Sequence, residues 1–105
     1  MPDTPVFYTY RDGIEGFRFD VPDGRYELEL RFTEPEYEVA GQRVFDVTAN
    51  GASLVSGLDL AARAGRGAAV VIRGTVEARK GDGVQLFFVA TRGTAVLHAI
   101  RIVRQ

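Results

Sequence analysis

Apolar and polar residues alternate along most of this chain, and the alternation has period two. In "RYELELRF" the residues Tyr26, Leu28, Leu30 and Phe32 share one face, and Arg25, Glu27, Glu29 and Arg31 share the other. That pattern predicts a half-buried antiparallel strand. "VFDVTA" sets Phe45, Val47 and Ala49 against Val44, Asp46 and Thr48, and "AAVVIRGTVEAR" continues through Val70, Ile72, Val76 and Ala78. "VQLFFVAT" is apolar on both faces and reads as a central strand, while "AVLHAIRIVR" points Ile100 and Ile102 inward. Asp23-Gly24, Asn50-Gly51 and Asp82-Gly83 separate these runs as tight turns, since Gly and Asn tolerate positive φ. "LDLAARAGRG" is the longest helical candidate, and Gly65 and Gly67 limit it to one or two turns.

Strands at short spacing with such turns predict an all-β fold, an antiparallel jelly-roll-like β-sandwich of two sheets. Tyr26, Leu28, Leu30, Phe32, Phe45, Val47, Ile72, Leu86, Phe88, Ile100 and Ile102 are its predicted core. The pattern yields about seven strands where a jelly roll usually has eight. An outer, N-terminal strand is therefore expected to be missing or supplied by another chain. Such an open edge would pair with something, either a neighbouring domain or a second copy in a homodimer.

Composition narrows the function. The 105 residues suit a single domain, 46% are hydrophobic and 26% charged, and the formal net charge is −1. That balance gives no electrostatic reason to expect nucleic acid or an anionic membrane as partner. There is no cysteine, which excludes disulfides and thiolate metal sites. No apolar run approaches the roughly 18 residues of a membrane helix. "MPDTPVFYTY" lacks the basic and apolar regions of a signal peptide. Residues 1–105 are expected to be a fragment or C-terminal module of a longer chain; the sequence leaves the compartment unknown, with a secreted or periplasmic parent as one option.

Candidate chemistry is sparse. His98 is the only histidine and shares the parity of Ile100 and Ile102, so it should be half-buried at a sheet end. Without a second His or any Cys, a metal site or a catalytic triad has almost nothing to build on. Glu34, Glu36 and Glu38 fall in a loop around Pro35 and read as a solvated acidic loop; a glycosidase carboxylate pair or a calcium site are the alternatives. Asp46 opposes Phe45 and Val47, and we expect a structural hydrogen bond to loop backbone that steadies the turn at Asn50-Gly51. Phe7, Tyr8, Tyr10, Phe17 and Phe19 crowd the first twenty residues, and Tyr37 lies in the acidic loop. Tyrosines beside carboxylates on sandwich loops suit a carbohydrate, whose C–H faces stack on rings while its hydroxyls need polar partners. No nucleophile–base pair, cofactor loop or metal cluster argues for catalysis, so no enzymatic activity is expected of this chain.

The order of pieces, "YTYRDGIEGFRFDVPDGRYELELRFTE", "GQRVFDVTANG", "LDLAARAG" and "VLHAIRI", resembles the malectin and malectin-like carbohydrate-binding domains. The resemblance runs from Phe7 onward, and "RVFDV" followed by "NG" is its more specific part. The first segment is most similar to malectin-type domains appended to bacterial β-galactosidase-like glycoside hydrolases of family 2. The resemblance implies a non-catalytic carbohydrate-binding module associated with such a hydrolase. Oligosaccharide would be its ligand, and the parent's catalytic domain its partner. Tyr8, Tyr10 and Tyr37 would stack on sugar, with Arg11, Glu34 and Glu36 as hydroxyl partners. Where the family places a sugar-binding aspartate before its last strand, this chain has Arg92 and Gly93. The competing expectation is a structural domain that docks on a catalytic domain or mediates oligomerisation without binding sugar.

Overall fold

A computed structural model describes the backbone of residues 6–105 and the side chains from residue 13 onward. In chain order its elements are β1 (Val6–Asp12), β2 (Gly16–Phe19), β3 (Gly24–Thr33), β4 (Val44–Ala49), β5 (Ala52–Leu58), α1 (Leu60–Ala64), β6 (Ala69–Ala78), β7 (Val84–Arg92) and β8 (Val96–Arg104). They form two four-stranded sheets, one in the order β1-β8-β3-β6 and the other β2-β7-β4-β5. Every named pairing is antiparallel. This is the predicted jelly-roll-like sandwich.

The sequence count of seven strands falls one short, and the missing strand is internal. β5 follows the Asn50-Gly51 turn and forms the edge of the second sheet beside β4. The gap on which strand addition by another chain was premised is thus filled by this chain itself. β5 escaped the pattern because "ASLVSGL" does not alternate: only Leu58 is buried, and its pairing with β4 shifts register twice.

The alternation in β3 does what it predicts. Leu28, Leu30 and Phe32 are fully buried and Tyr26 nearly so. Phe45, Val47, Leu86 and Phe88 face them from the second sheet, and all eleven predicted core residues are buried. Each such side chain contributes about 1.5–3 kcal/mol of burial. Phe32 and Phe45 meet across the layers with ring centroids 5.6 Å apart. Both lead directly into the loop that follows β3 and precedes β4, so this contact sets the base of that loop.

The connections gather at two ends. Turns at residues 20–23, 50–51 and 79–83 close one end. At the other lie residues 13–15, the long loop 34–43, α1 with its flanks, and residues 93–95. α1 is one short turn capped by Asp59, whose Oδ1 accepts from Ala62 N at 3.1 Å.

Candidate functional site

The long loop after β3 is built around two charges that burial forces to meet. Glu34 is 0% exposed and Arg43 2% exposed, and Arg43 Nε donates to Glu34 Oε2 at 2.9 Å. Glu34 Oε1 also accepts from the backbone N–H of Glu36 (3.3 Å) and of Tyr37 (2.9 Å), so the carboxylate folds the loop over itself. Arg43 Nη1 donates to the carbonyl and hydroxyl oxygens of Thr94, each at 2.8 Å, which ties in the loop before β8. Its Nη2 reaches Glu36 Oε1 at 3.4 Å, and its guanidinium carbon lies 5.1 Å from the Tyr37 ring centroid. A cation over an aromatic face is attracted by the ring quadrupole. Tyr37 is therefore held by its amide on one side and by its ring on another.

Further bonds secure the loop's far half. Gly41 N donates to Asp59 Oδ2 at 2.6 Å, Gly67 N to Glu34 O at 3.1 Å, and Arg66 Nη1 to Glu38 Oε1 at 3.2 Å. Gly93 lets the two loops touch. It has φ +62, and a Cβ there would stand 2.6 Å from the Gln42 carbonyl oxygen. The Arg92-Gly93 pair at the family's aspartate position thus serves close approach of backbone in this chain.

Of the predicted site residues, Glu36 is exposed, Tyr37 half-buried and Glu34 wholly enclosed. Glu34 consequently organises the loop from beneath; its oxygens are occupied by Arg43 and backbone amides. Tyr8 and Arg11 lie on β1 opposite Ala99 and Leu97 of β8, and Tyr10 falls within a register shift between them. Their side chains are outside the described residues. β1 ends beside the Thr94 loop, where Gly13 N donates to Ala95 O at 2.8 Å. The backbone thus brings the end of β1, loop 34–43 and loop 93–95 to one end of the sandwich. A cleft of about 460 Å³ opens beside it between residues 13–15, β7 and loop 93–95, lined by Ile14, Glu15, Val89, Ala90 and Thr94 and by no residue of loop 34–43. A larger cleft, about 600 Å³, surrounds the Asn50-Gly51 turn at the opposite end. Its Arg18 and Arg79 are already paired with Asp20 and Glu77.

His98 is half-buried near the start of β8, as its parity predicts. The β3–β8 ladder stops at Arg31 and Ala99, and His98 Nδ1 accepts from the Thr33 N–H at 3.2 Å. Burial pushes its pKa down, while the Glu34 charge pulls it up, with a net lowering from 6.5. Asp46 does make a structural hydrogen bond, but at a different place from the one expected. Its Oδ1 accepts from Gly57 N at 2.6 Å and Ser56 Oγ at 3.3 Å, steadying irregular β5. The turn at Asn50 is held by Asn50 itself: Nδ2 donates to Glu77 O (2.9 Å) and Gly83 O (3.1 Å), and Oδ1 accepts from Gln85 N (2.8 Å).

Arg43 is the organising residue that sequence reasoning missed. The signal was present: Phe32-Thr33-Glu34 and Arg43-Val44-Phe45 each join a core phenylalanine to a charge two residues away. The phenylalanines pack together, so the charges are brought together as well.

The two-sheet sandwich with its long loops gathered at one end has counterparts among known proteins. Residues 1–100 match the malectin domain family, and the chain belongs to that family. Malectin domains are carbohydrate-binding and non-catalytic. Malectin-A of Xenopus laevis is 38% identical over 72 residues, covering 65% of this chain and 26% of that protein. Human malectin is likewise 38% identical over 72 residues, covering 25% of its length. Among solved structures, a Bacteroides uniformis β-glucuronidase superposes with TM-score 0.82 at 29% identity, over 91% of this chain and 11% of that chain. The extracellular domain of ANXUR2 from Arabidopsis thaliana shares the fold, with TM-score 0.66 and 19% identity over 85% of this chain and 27% of its own. This chain therefore spans about a quarter of the malectins and about a tenth of the glucuronidase. No helix among the described residues is long and apolar enough to cross a membrane.

Proposed function

We propose that this chain is a non-catalytic carbohydrate-binding module associated with a glycoside hydrolase. It binds oligosaccharide at the end of the sandwich formed by β1, loop 34–43 and loop 93–95. Tyr37 stacks on a sugar ring and the exposed Glu36 accepts from a hydroxyl. Tyr8, Tyr10 and Arg11 contribute from β1. Glu34 acts through Arg43 and the loop amides. The observation that carries the reading is the buried Glu34–Arg43 pair beneath Tyr37, because it orders the loop before ligand arrives and lowers the entropic cost of binding. The larger parent is supported by the likeness to a long β-glucuronidase chain; a β-galactosidase-like parent is the more specific form of the same proposal. NMR titration with α- and β-linked neutral disaccharides at millimolar concentration tests it. Shifts of the Tyr37 and Glu36 amides, lost on Tyr37→Ala, are expected. Absence of shifts for every disaccharide would overturn it.

A second reading has its own support. Phe87 and Val89 stand 47% and 56% exposed on the outer face of β7, an inner strand of the second sheet. A catalytic domain docked on that face would cover them, and so would a second copy of this chain. Sedimentation at high micromolar concentration distinguishes these, since only the homodimer responds to concentration and to Phe87→Ser.

A further inference from the structure

The cleft of about 600 Å³ around the Asn50-Gly51 turn lies at the end of the sandwich away from Tyr37. Gln85 and Phe87 line it from β7 of the second sheet, and Thr75 and Glu77 line it from β6 of the first. Phe87 is 47% exposed. The strand register explains why its ring stays open. Its cross-strand neighbours are Gly16 on β2 and Thr48 on β4. One has no side chain and the other a short one, so neither covers the ring. Gln85 stands on the same face, about 7 Å back along the strand.

The polar part of the cleft is fixed and electrically balanced. Asn50 N donates to Gln85 O at 2.9 Å, and Asn50 Oδ1 accepts from Gln85 N at 2.8 Å. Both backbone groups of Gln85 are thereby engaged, which holds its side chain beside Phe87. That exposed side-chain amide makes no hydrogen bond among the described residues. Neither do the Asp82 carboxylate and the Thr75 hydroxyl, which also line the cleft. Arg18 and Arg79 are balanced within the lining by Glu77 and Asp82. The two arginines are moreover committed already, Arg18 to Asp20 and Arg79 to Glu77. A ligand therefore meets one open ring, an amide that both donates and accepts, a free acceptor and a hydroxyl, with no surplus charge.

We propose that this cleft is a second glycan site, which takes a stretch of neutral polysaccharide. The C–H face of a sugar ring stacks on Phe87, and its hydroxyls bond to Gln85 and Asp82. An anionic ligand would need cations that are not already paired. A protein partner would need a broader apolar centre, and Val89, the other exposed apolar side chain of β7, lies outside the cleft. Because the lining belongs to both sheets, one or two sugar rings cover only one end of it, and binding requires a longer chain. The site is separate from the Tyr37 loop and rests on the carbohydrate-binding reading only for the class of its ligand.

The test is NMR titration of this chain with maltotetraose and cellotetraose, set beside maltose and cellobiose. At least one tetrasaccharide should shift the Gln85 side-chain amide and the Phe87 backbone amide, and the disaccharides at equal concentration should not. Phe87→Ala should weaken this binding roughly tenfold, and Phe87→Trp should preserve it. Tyr37→Ala should leave it unchanged. A response at Phe87 with a silent loop would sustain this proposal and overturn the loop reading. Tetrasaccharide shifts confined to the loop would overturn this proposal and leave the loop reading standing. Silence in both places would overturn both. Shifts near Phe87 that survive Phe87→Ala undiminished, or that vanish with Tyr37→Ala, would also overturn it. So would shifts of Gln85 and Phe87 that follow protein concentration and ignore sugar, which would give this surface to a second copy of the chain.

Discussion

The domain contains two clusters of arginine around glutamate, and they differ in one physical variable. At the loop end, Arg43 and Glu34 have side chains 2% and 0% exposed. On the first sheet's outer face, Arg31 and Arg73 meet Glu29 with their guanidiniums substantially in water. The chemistry is the same in both places, and burial sets its consequence. In the enclosed pair, each charge depends on the other, because neither can turn to solvent. On the sheet face, water screens Arg31 and Arg73, and either can turn from Glu29 to solvent. Buried pairs of this kind fix geometry more than they add stability, since desolvation offsets much of the attraction. The loop cluster accordingly positions Tyr37, and the face cluster joins β3 to β6 across the sheet surface.

The largest expected effect comes from breaking the enclosed pair. Arg43→Met should destabilise the domain by roughly 3–5 kcal/mol, because it leaves the Glu34 carboxylate buried and uncompensated. Urea denaturation at neutral pH measures this. Replacing both partners, Arg43→Met with Glu34→Leu, should recover much of the loss while still abolishing neutral-disaccharide binding. Recovery of stability together with binding would show that the pair does not position the loop. Next in size is Gly93→Ala. Its positive φ and the nearby Gln42 carbonyl make any Cβ strained. The cost should be about 1–3 kcal/mol, with the largest amide shifts in residues 41–43. By contrast, Arg73→Gln on the open face should cost no more than about 1 kcal/mol. A loss comparable to that of Arg43→Met would collapse the distinction between the clusters.

The smallest effect is a dependence on pH. The folded pKa of His98 lies below 6.5, so the unfolded chain takes up the proton first. Stability should be unaffected by His98 above that value, fall as the pH drops through it, and level off below the folded pKa. The geometry agrees, because Nδ1 needs its lone pair to accept from Thr33. Glu29 acts lower: its contribution is present at neutral pH and is lost as the pH falls through its depressed folded pKa. Melting temperatures at pH 7.5 and 5.5 should differ less for His98→Gln than for the parent sequence. An unchanged difference would remove His98 from the account.

The sandwich was legible because period-two burial is written residue by residue, as in Tyr26, Leu28, Leu30 and Phe32. β5 was not legible, since an edge strand with shifted register buries little and need not alternate. The site was harder for a related reason. Charges in a sequence read as solvated by default, and Glu34 and Glu36 look alike there. Only the packing of Phe32 on Phe45 shows that Glu34 is enclosed and Glu36 is not. The face cluster was invisible for the opposite cause: Glu29 and Arg31 alternate as any exposed strand residues do, and the meeting of Glu29 with Arg73 depends on strand order.

Asn50 has a consequence for how the protein ages. An asparagine followed by glycine is the pair most prone to lose its side-chain amide, through attack by the next backbone nitrogen. Here that amide is engaged: Nδ2 donates to two carbonyl oxygens, and Oδ1 receives the Gln85 N–H. While folded, the side chain is held to these partners and withheld from cyclisation. Once converted to aspartate it would set a carboxylate oxygen against the carbonyls of Glu77 and Gly83, where no proton is left to share. The clasp joining the β4–β5 turn to β6 and the β6–β7 turn would become a point of repulsion. Deamidation at this one position should therefore run faster in the unfolded chain than in the folded one, which mass spectrometry of aged native and urea-unfolded samples measures.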